Sequence, residues 1–256
     1  MAEKKIVQSV DRALVILEAL ADEERPMTLS NLSEKVELNI STVYRILHTL
    51  IMRGFAKQEE SGKYFLGLKA FEVGNAAKKN FDLVNIAKPY LQKLVDKCNE
   101  TTNLAILDEG EVVYIDQAAC TSMVKMFAEI GSRGPAYCTG TGKALLAYVE
   151  QDELAELLEQ MELRKLTENT KAKPEELKEE LKQIRRQGYA LDIGELEEGV
   201  RCVAAPIKNF EGDVEAAISV SGPSTRMTED YIEEVVIPAV VEVSAQISNQ
   251  LGYRRR

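Results

Sequence analysis

Residues 28–53 read TLSNLSEKVELNISTVYRILHTLIMR and contain two short apolar periodicities separated by a polar turn. In the first, Thr28 stands in front of three apolar residues at helical spacing, where a hydroxyl side chain makes a good N-cap. The second follows a helical period through Ile40, Val43, Ile46, Leu47, Leu50 and Ile51. Gly54 suits the position just after a helix end. The stretch therefore predicts two short helices joined by a tight turn.

The flanking residues complete a small module. An earlier amphipathic helix is predicted by the helical spacing of Val10, Ala13, Leu14, Leu17 and Leu20. Residues 55–58 and 63–66 are candidate strands around a turn that contains Gly62. Three helices followed by a hairpin are typical of a winged helix-turn-helix, which binds DNA. The alternative is a three-helix module whose surface is merely neutral.

The outward face of the third predicted helix carries groups that suit DNA. Arg45 can contact guanine through two hydrogen bonds, and Thr42 can touch a thymine methyl group. Arg53, Lys57 and Lys63 suit the phosphate backbone. The lone His48 has two interpretations, a base contact or an ordinary solvent-facing side chain. The candidate DNA-binding residues are Thr28, Ser41, Thr42, Tyr44, Arg45, His48, Thr49, Arg53, Lys57 and Lys63.

The charge distribution agrees with DNA binding, although the net charge of the whole chain at first argues against it. The 256-residue chain has a net charge of −10, and an acidic protein is a poor partner for phosphate. Residues 1–80, however, hold 12 Lys+Arg and 11 Asp+Glu, so the acidic excess lies entirely beyond them. Residues 39–58 contain no acid at all. The asymmetry predicts different partners for the two parts.

The rest of the chain predicts a stiff linker and a mixed α/β region. Residues 68–80 contain no proline and are expected to form a linker helix. Beyond them, helices are expected at 83–98, 152–161, 174–187 and 228–251, and hairpins at 102–107/112–117 and 200–208/213–221. Pro238 is expected to kink the last helix. The fold class expected is α+β.

Several function classes are disfavoured by composition. No apolar run reaches the ~20 residues of a membrane helix, and the N-terminus lacks a signal-peptide core. The four cysteines are far apart, so reduced thiols and a cytoplasmic location are expected. With one histidine, a Ser-His-Asp triad or a multi-histidine metal site would have to use His48. We expect no cofactor, no metal site, no membrane partner and no catalytic residue.

Residues 140–143, Gly-Thr-Gly-Lys, resemble a phosphate-binding loop but do not meet its pattern. Tyr137 occupies the first glycine position of that motif, and Ala144 follows the lysine. The residues are interpreted as a turn into a helix at 143–149, whose backbone N–H groups could hold a small anion. A tight turn without a ligand is the alternative.

Several motifs together resemble the IclR family of bacterial transcriptional regulators. They are residues 9–14 (SVDRAL), 41–45 (STVYR), 64–67 (YFLG), 142–147 (GKALLA) and 199–206 (GVRCVAAP). The resemblance implies a winged helix-turn-helix at 1–67, a linker helix at 68–80, and a GAF-like α/β effector-binding domain at 81–256. It also implies homodimers, often paired as dimers of dimers, on palindromic double-stranded operator DNA.

Within the family, the KdgR branch is resembled by residues 41–45 (STVYR), 71–74 (FEVG), 244–246 (SAQ) and 251–253 (LGY). That branch responds to sugar-acid products such as 2-keto-3-deoxygluconate, which implies a small carboxylate effector. The resemblance places effector binding on Met123, Gly134, Gly140, Thr141, Asp192, Cys202, Ser219 and Ser221. Gly134 departs from the larger aliphatic residue usual there. A thiol enzyme or a redox sensor based on Cys138 and Cys202 remains an alternative, as does a plain buried role for both thiols.

Overall fold

The computed structural model describes residues 6–23, 25–79 and 82–254. The chain forms two compact units, Met1–Phe81 and Asp82–Arg256. Within the described ranges, no helix has both the length and the apolar character needed to cross a membrane.

The N-terminal unit is a winged helix-turn-helix, as the sequence predicts. Its elements are α1 (Gln8–Ala21), α2 (Leu29–Lys35), α3 (Ile40–Met52), β1 (Ala56–Gln58), β2 (Tyr64–Leu66) and α4 (Leu68–Lys79). The Thr28 hydroxyl accepts a hydrogen bond from the Asn31 N–H at 3.2 Å, which confirms the predicted cap of α2. Gly54 follows α3 at φ 77°, which confirms the predicted helix end. Strands β1 and β2 form the antiparallel wing, and Met27 bridges to Tyr64 beside it.

The buried face of α1 differs from the prediction. Ile16, Ala19 and Leu20 lie in the core with the buried residues of α3, whereas Val10 and Leu14 are more than half exposed. Two apolar stripes overlap on this helix, and the helical period does not show which of them faces the domain. The structure leaves the Val10 stripe uncovered within this unit.

The C-terminal unit is built on a six-stranded antiparallel sheet. Its elements are α5 (Asp82–Cys98), β3 (Thr101–Asp108), β4 (Glu111–Ala118), β5 (Arg133–Pro135), α6 (Gly140–Leu146), α7 (Gln151–Gln160), α8 (Pro174–Gln187), β6 (Ala190–Ile193), β7 (Val200–Lys208), β8 (Val214–Pro223), α9 (Glu229–Tyr231) and α10 (Ile237–Gln250). The strand order is β5-β4-β3-β8-β7-β6. Helices on both faces of this sheet confirm the expected α+β class.

The two faces of the sheet have different partners. One face packs α5 and α10 against apolar residues such as Leu104, Ile218 and Val220. The other face carries small residues, including Ala105, Ala204 and Ala217, and is covered by the turn Ala136–Cys138, α6 and α8. Small side chains let α6 approach the strands closely, so its first residues lie directly on the sheet.

Three details of this unit were predicted incorrectly or missed. Helix α6 begins at Gly140 rather than at Lys143, because the Thr139 hydroxyl caps it by accepting from the Gly142 N–H at 3.2 Å. The short strands β5 and β6 were not predicted as strands. Residues Ile232–Val236 adopt a π-helix immediately before α10, whose second residue is Pro238. Proline lacks the N–H that a regular turn needs there.

Candidate DNA-binding face and effector site

The ten predicted DNA-binding residues lie on α3, the start of α2 and the wing. Nine are exposed, and Thr42 is half-buried. The apolar stripe of α3 places Val43, Leu47 and Leu50 in the core, which leaves the opposite face to solvent. Four of the ten are cations, and none of them forms an ion pair with another residue that the structure describes (Arg45, Arg53, Lys57 and Lys63). Their charges are therefore available to an anion.

An open cleft of about 490 Å³ extends this face towards α1. It is lined by Ser9 and Arg12 from α1 and by Thr42, Arg45 and Thr49 from α3, among others. Sequence reasoning missed Ser9 and Arg12 as candidate ligands, although both belong to a quoted motif. The signal was available, because Arg12 is the one cation on α1. Two arginines and three hydroxyls around one cleft suit a phosphate group.

Four of the predicted effector residues come together on adjacent strands of the C-terminal sheet. Asp192 on β6 pairs with Cys202 on β7, which pairs with Ser221 on β8. Ser219 lies two residues before Ser221 and therefore faces the same side. This is the side covered by α6. Both pairings depend on strand register, which the sequence alone did not supply.

The first turn of α6 lies on these residues. A Cβ atom at Gly140 would stand 2.8 Å from the Cys202 Sγ, so glycine is required for this close approach. Thr141 follows and is almost fully buried, and Tyr114 packs against the apolar cluster beneath α6, where burial raises its pKa to about 12. Tyr114 on β4 is a site residue that sequence reasoning missed. The arrangement surrounds the helix start with hydroxyl, thiol and carboxyl groups.

Two predicted effector residues are not brought into this cluster. Met123 lies in the loop 119–132, and its side chain is fully exposed. Gly134 lies on β5, paired with Val112, and a Cβ atom there would meet nothing within 4 Å. The loop carries Met123 outwards, and the glycine presents no side chain to the site. Contact of either residue with an effector remains a prediction.

A buried charge network lies behind the α6 turn. Lys143 is completely buried and pairs with Glu180 on α8 at 2.8 Å and with Glu195 in the β6–β7 turn. The Glu195 N–H donates to the Asp192 carboxylate at 2.7 Å, which ties the network to the effector residues. Lys171 pairs with the other Glu180 oxygen at 2.9 Å. One Glu195 oxygen, Oε2, is buried without a hydrogen-bond partner among the residues described.

The two acidic residues nearest the turn are affected by this burial. Removal from water raises the pKa of Asp192 to about 6 and that of Glu195 to about 7, against the lowering effects of the Lys143 charge and of backbone hydrogen bonds to Asp192. Sequence reasoning treated Lys143 only as part of a turn, since nothing in residues 140–143 indicates that the ammonium is buried.

The cysteines give no support to thiol chemistry. Burial raises the pKa of Cys138 to about 12 and that of Cys202 to about 11, so both thiols are protonated at neutral pH. The thiolate is the nucleophile in thiol catalysis and oxidation. Among the described residues, no group of His, Cys, Asp or Glu side chains could hold a metal ion. The buried packing role is the one that this geometry favours.

We expect the thermal stability of the protein to fall as the pH rises from about 4 to about 7. A carboxyl group whose folded-state pKa is raised contributes stability below its unfolded pKa and loses it as the pH passes through the folded value. Asp192 and Glu195 place that window between about pH 4 and pH 7. Calorimetry should therefore show a melting temperature a few degrees lower at about pH 7 than at about pH 4.

The matched control for this prediction is Glu195→Gln, which keeps the shape of the side chain but removes its titration. The variant should show a smaller fall in melting temperature over the same pH range. An identical pH dependence in both proteins would contradict the prediction, because the difference between them isolates Glu195 from every other titrating group.

Known proteins match both units of the chain. The family model "IclR helix-turn-helix domain" matches residues 9–60, and "Bacterial transcriptional regulator IclR C-terminal" matches residues 75–249. The HTH-type transcriptional regulator KdgR of Escherichia coli is 41% identical over 249 residues, covering 96% of this chain and 94% of the relative. The transcriptional repressor IclR of Escherichia coli is 38% identical over 244 residues, covering 93% and 89%.

A solved structure of the same kind has a bound small molecule. It is an IclR homologue from Microbacterium hydrocarbonoxydans complexed with 4-hydroxybenzoate, with a TM-score of 0.85 and 25% identity over 95% of this chain and 98% of that one. The family models together span most of the sequence, and the helix-turn-helix they describe is present here as α2 and α3. The chain belongs to the IclR family of bacterial transcriptional regulators.

Proposed function

We propose that this protein is a cytoplasmic repressor of a catabolic operon that binds a palindromic operator and responds to a small organic acid. Residues 1–67 form its DNA-binding domain, residues 68–80 its linker helix and residues 81–256 its effector-binding domain. The observation that carries the proposal is the pairing of an exposed cationic α3 face with a buried polar cluster at the start of α6. The repressor name of a relative supports the sign of regulation.

On DNA, α3 enters the major groove with Arg45 and Thr42 towards the bases. Ser41, Tyr44, His48 and Thr49 flank them on the exposed side of the helix. Arg53, Lys57 and Lys63 contact phosphates from the end of α3 and the wing, and Thr28 does so from the start of α2. Arg12 adds a phosphate contact through the cleft that it shares with Arg45.

The protein acts as a homodimer, and two dimers pair into a tetramer. A palindromic operator presents two equivalent half-sites, which require two copies of α3 related by a two-fold axis. Val7, Val10 and Leu14 form an exposed apolar stripe at helical spacing along α1 and its N-cap, and Leu68 and Phe71 are exposed on α4. A second copy of this chain would cover these side chains and remove their apolar surface from water.

The effector is a small carboxylate, of which 2-keto-3-deoxygluconate is the representative candidate. Its carboxylate lies at the N-terminal turn of α6, near Gly140 and Thr141, where helix N–H groups favour an anion. Ser221, Ser219 and Cys202 line the sheet beneath it, and Asp192 accepts hydrogen bonds from effector hydroxyls. Met123 contacts the effector after the loop 119–132 closes, and Gly134 borders the site from β5. The similarity to KdgR and the acid bound in a neighbouring structure support this class.

The acid shifts the population between arrangements that bind the operator and arrangements that do not. This coupling requires the acid to bind the two arrangements with different affinity. Residues 68–80, as a linker helix, transmit the change of arrangement to the DNA-binding domain. No enzymatic step is part of the proposal, and the protonated state of the Cys138 and Cys202 thiols disfavours the enzyme and redox-sensor alternatives.

A gel-shift assay on the DNA upstream of the chain's own gene tests the proposal. We expect retardation at low salt, and release when 2-keto-3-deoxygluconate is added at millimolar concentration. A Ser221→Ala variant, altered only in the C-terminal unit, should retard the DNA equally well and respond more weakly to the acid. Absence of retardation at low salt, with and without candidate acids, would refute the DNA-binding part.

A further inference from the structure

Two carboxamide side chains extend the polar cluster from Ser219 towards β4. Asn103 on β3 pairs in register with Ser219 on β8 and with Gln117 on β4. The Asn103 Nδ2 donates to the Ser219 Oγ at 3.4 Å, and the Gln117 Nε2 donates to the Asn103 Oδ1 at 2.8 Å. The result is a continuous polar row from the proposed effector residue Ser219 to the edge of β4.

This row lies on the face of the sheet covered by α6, next to the start of that helix. Its neighbours on the same face are small, namely Ala105, Ala204 and Ala217. Asn103 is almost fully buried and Gln117 is half-buried. A ligand that reaches Ser219 therefore meets amide groups in the direction of β4, rather than an apolar wall.

The chemistry of the row selects among acids. A carboxamide offers two donors and an acceptor that takes two bonds, which matches the mixed donor and acceptor character of hydroxyl groups. These amides already bond to each other, to Ser219 and to Ala128, so an aromatic ring placed there would leave only the second Asn103 N–H and the Gln117 amide oxygen buried without a partner, at a cost of about 1–3 kcal/mol for each. Hydroxyl groups along an aliphatic chain would instead satisfy them.

We propose that Asn103 and Gln117 are specificity-determining residues of the effector site, which bind the hydroxyl groups of a polyhydroxylated acid whose carboxylate lies at the start of α6. This inference rests on the proposed function and adds to it the residues that read the hydroxylated tail. The carboxylate end is common to all small acids, so it is the amide row that separates a sugar acid from a short keto acid or an aromatic acid.

Gln117 also connects the row to the loop 119–132. Its Nε2 donates to the Ala128 carbonyl oxygen at 3.0 Å, and Arg226 donates to the Val124 carbonyl oxygen at 2.9 Å. The loop otherwise presents large apolar side chains to solvent, including Met123 and Phe127. A ligand hydroxyl that accepts from Gln117 replaces the Ala128 carbonyl as its partner. Binding of the tail therefore releases one of these two tethers of the loop.

The test compares two acids that share one end. Pyruvate and 2-keto-3-deoxygluconate both carry a 2-keto carboxylate, and only the second has a hydroxylated tail. Calorimetric titration of the full-length protein should show tighter binding of the sugar acid. We expect Asn103→Ala and Gln117→Ala each to weaken binding of the sugar acid roughly tenfold, as loss of one or two hydrogen bonds implies, and to change pyruvate binding less than about twofold.

The control is Gln246→Ala, which removes a half-buried amide on α10, on the other face of the sheet, and should leave both affinities unchanged. Equal weakening for both acids, no weakening for either, or tighter wild-type binding of 4-hydroxybenzoate than of the sugar acid would overturn this inference alone. If the wild-type protein binds operator DNA but neither keto acid, the inference falls together with the effector part of the proposed function. The two variants are independent, so misfolding of one leaves the other to decide.

Discussion

A Lys143→Met variant should lose about 3–5 kcal/mol of stability in the C-terminal unit, because it removes the shared partner of the buried Glu195 carboxylate and the partly buried Glu180 carboxylate. Glu195 would lose its only side-chain cation within 4 Å among the described residues, and Glu180 would keep only Lys171. Methionine fills most of the lysine volume, so the expected loss comes from charge rather than from a cavity. Calorimetry should show a melting temperature lower by about 10 °C.

If the loss of stability comes from the unpaired charge, two further results are expected. The loss should be smaller at about pH 6 than at about pH 8, because protonation of Glu195 removes the unpaired charge. Adding Glu195→Gln to Lys143→Met should recover part of the stability, as a double-mutant cycle shows for residues in one network. A loss that is independent of pH and of Glu195 would instead indicate a packing defect.

The secondary structure of this chain was largely predictable because its signals are local. Pro174 at the first turn of α8 and Gly188 at φ 83° after its last turn mark that helix in the sequence and in the structure. The start of α6 was misplaced because Gly140 and Gly142 suggested a turn. In fact, a Cβ atom at Gly142 would stand 2.3 Å from the Ala136 Cα. Glycine is needed there because α6 packs closely against the backbone of Ala136.

Residue patterns alone could predict a candidate site only where one element supplies its residues, whereas the candidates on β6, β7 and β8 rest on the family resemblance. The face of α3 follows from its helical period, so its candidates could be predicted from the sequence alone. Asn103, Gln117 and Tyr114 belong to the C-terminal cluster through the pairing of β3, β4 and β8. The register between distant strands cannot be derived from the sequence of either strand alone. The burial of Lys143 likewise depends on Glu180 and Glu195, which are far away in sequence.

An Arg45→Ala variant should lose specific operator binding. A bidentate arginine–guanine contact contributes about 1–3 kcal/mol of discrimination, and a dimer on a palindrome makes the contact twice. The expected loss is therefore about 2–6 kcal/mol per operator, or roughly 30-fold to more than 10⁴-fold in affinity. Arg45 is exposed and forms no ion pair with a described residue, so the substitution removes a DNA contact without leaving a buried charge unpaired. Titrating the wild-type protein and the variant with operator DNA and with scrambled DNA measures this loss of affinity.

Arg12→Ala provides the matched control, because it removes an arginine from the other side of the same cleft. A phosphate contact carries no sequence information, so this variant should weaken operator and scrambled DNA alike and reduce the slope of log K against log salt by about 1 per copy. Arg45→Ala should instead bring operator affinity down towards the value for scrambled DNA. If the two variants lower the operator-to-scrambled ratio equally, Arg45 does not read a base, and α3 acts through its charge alone.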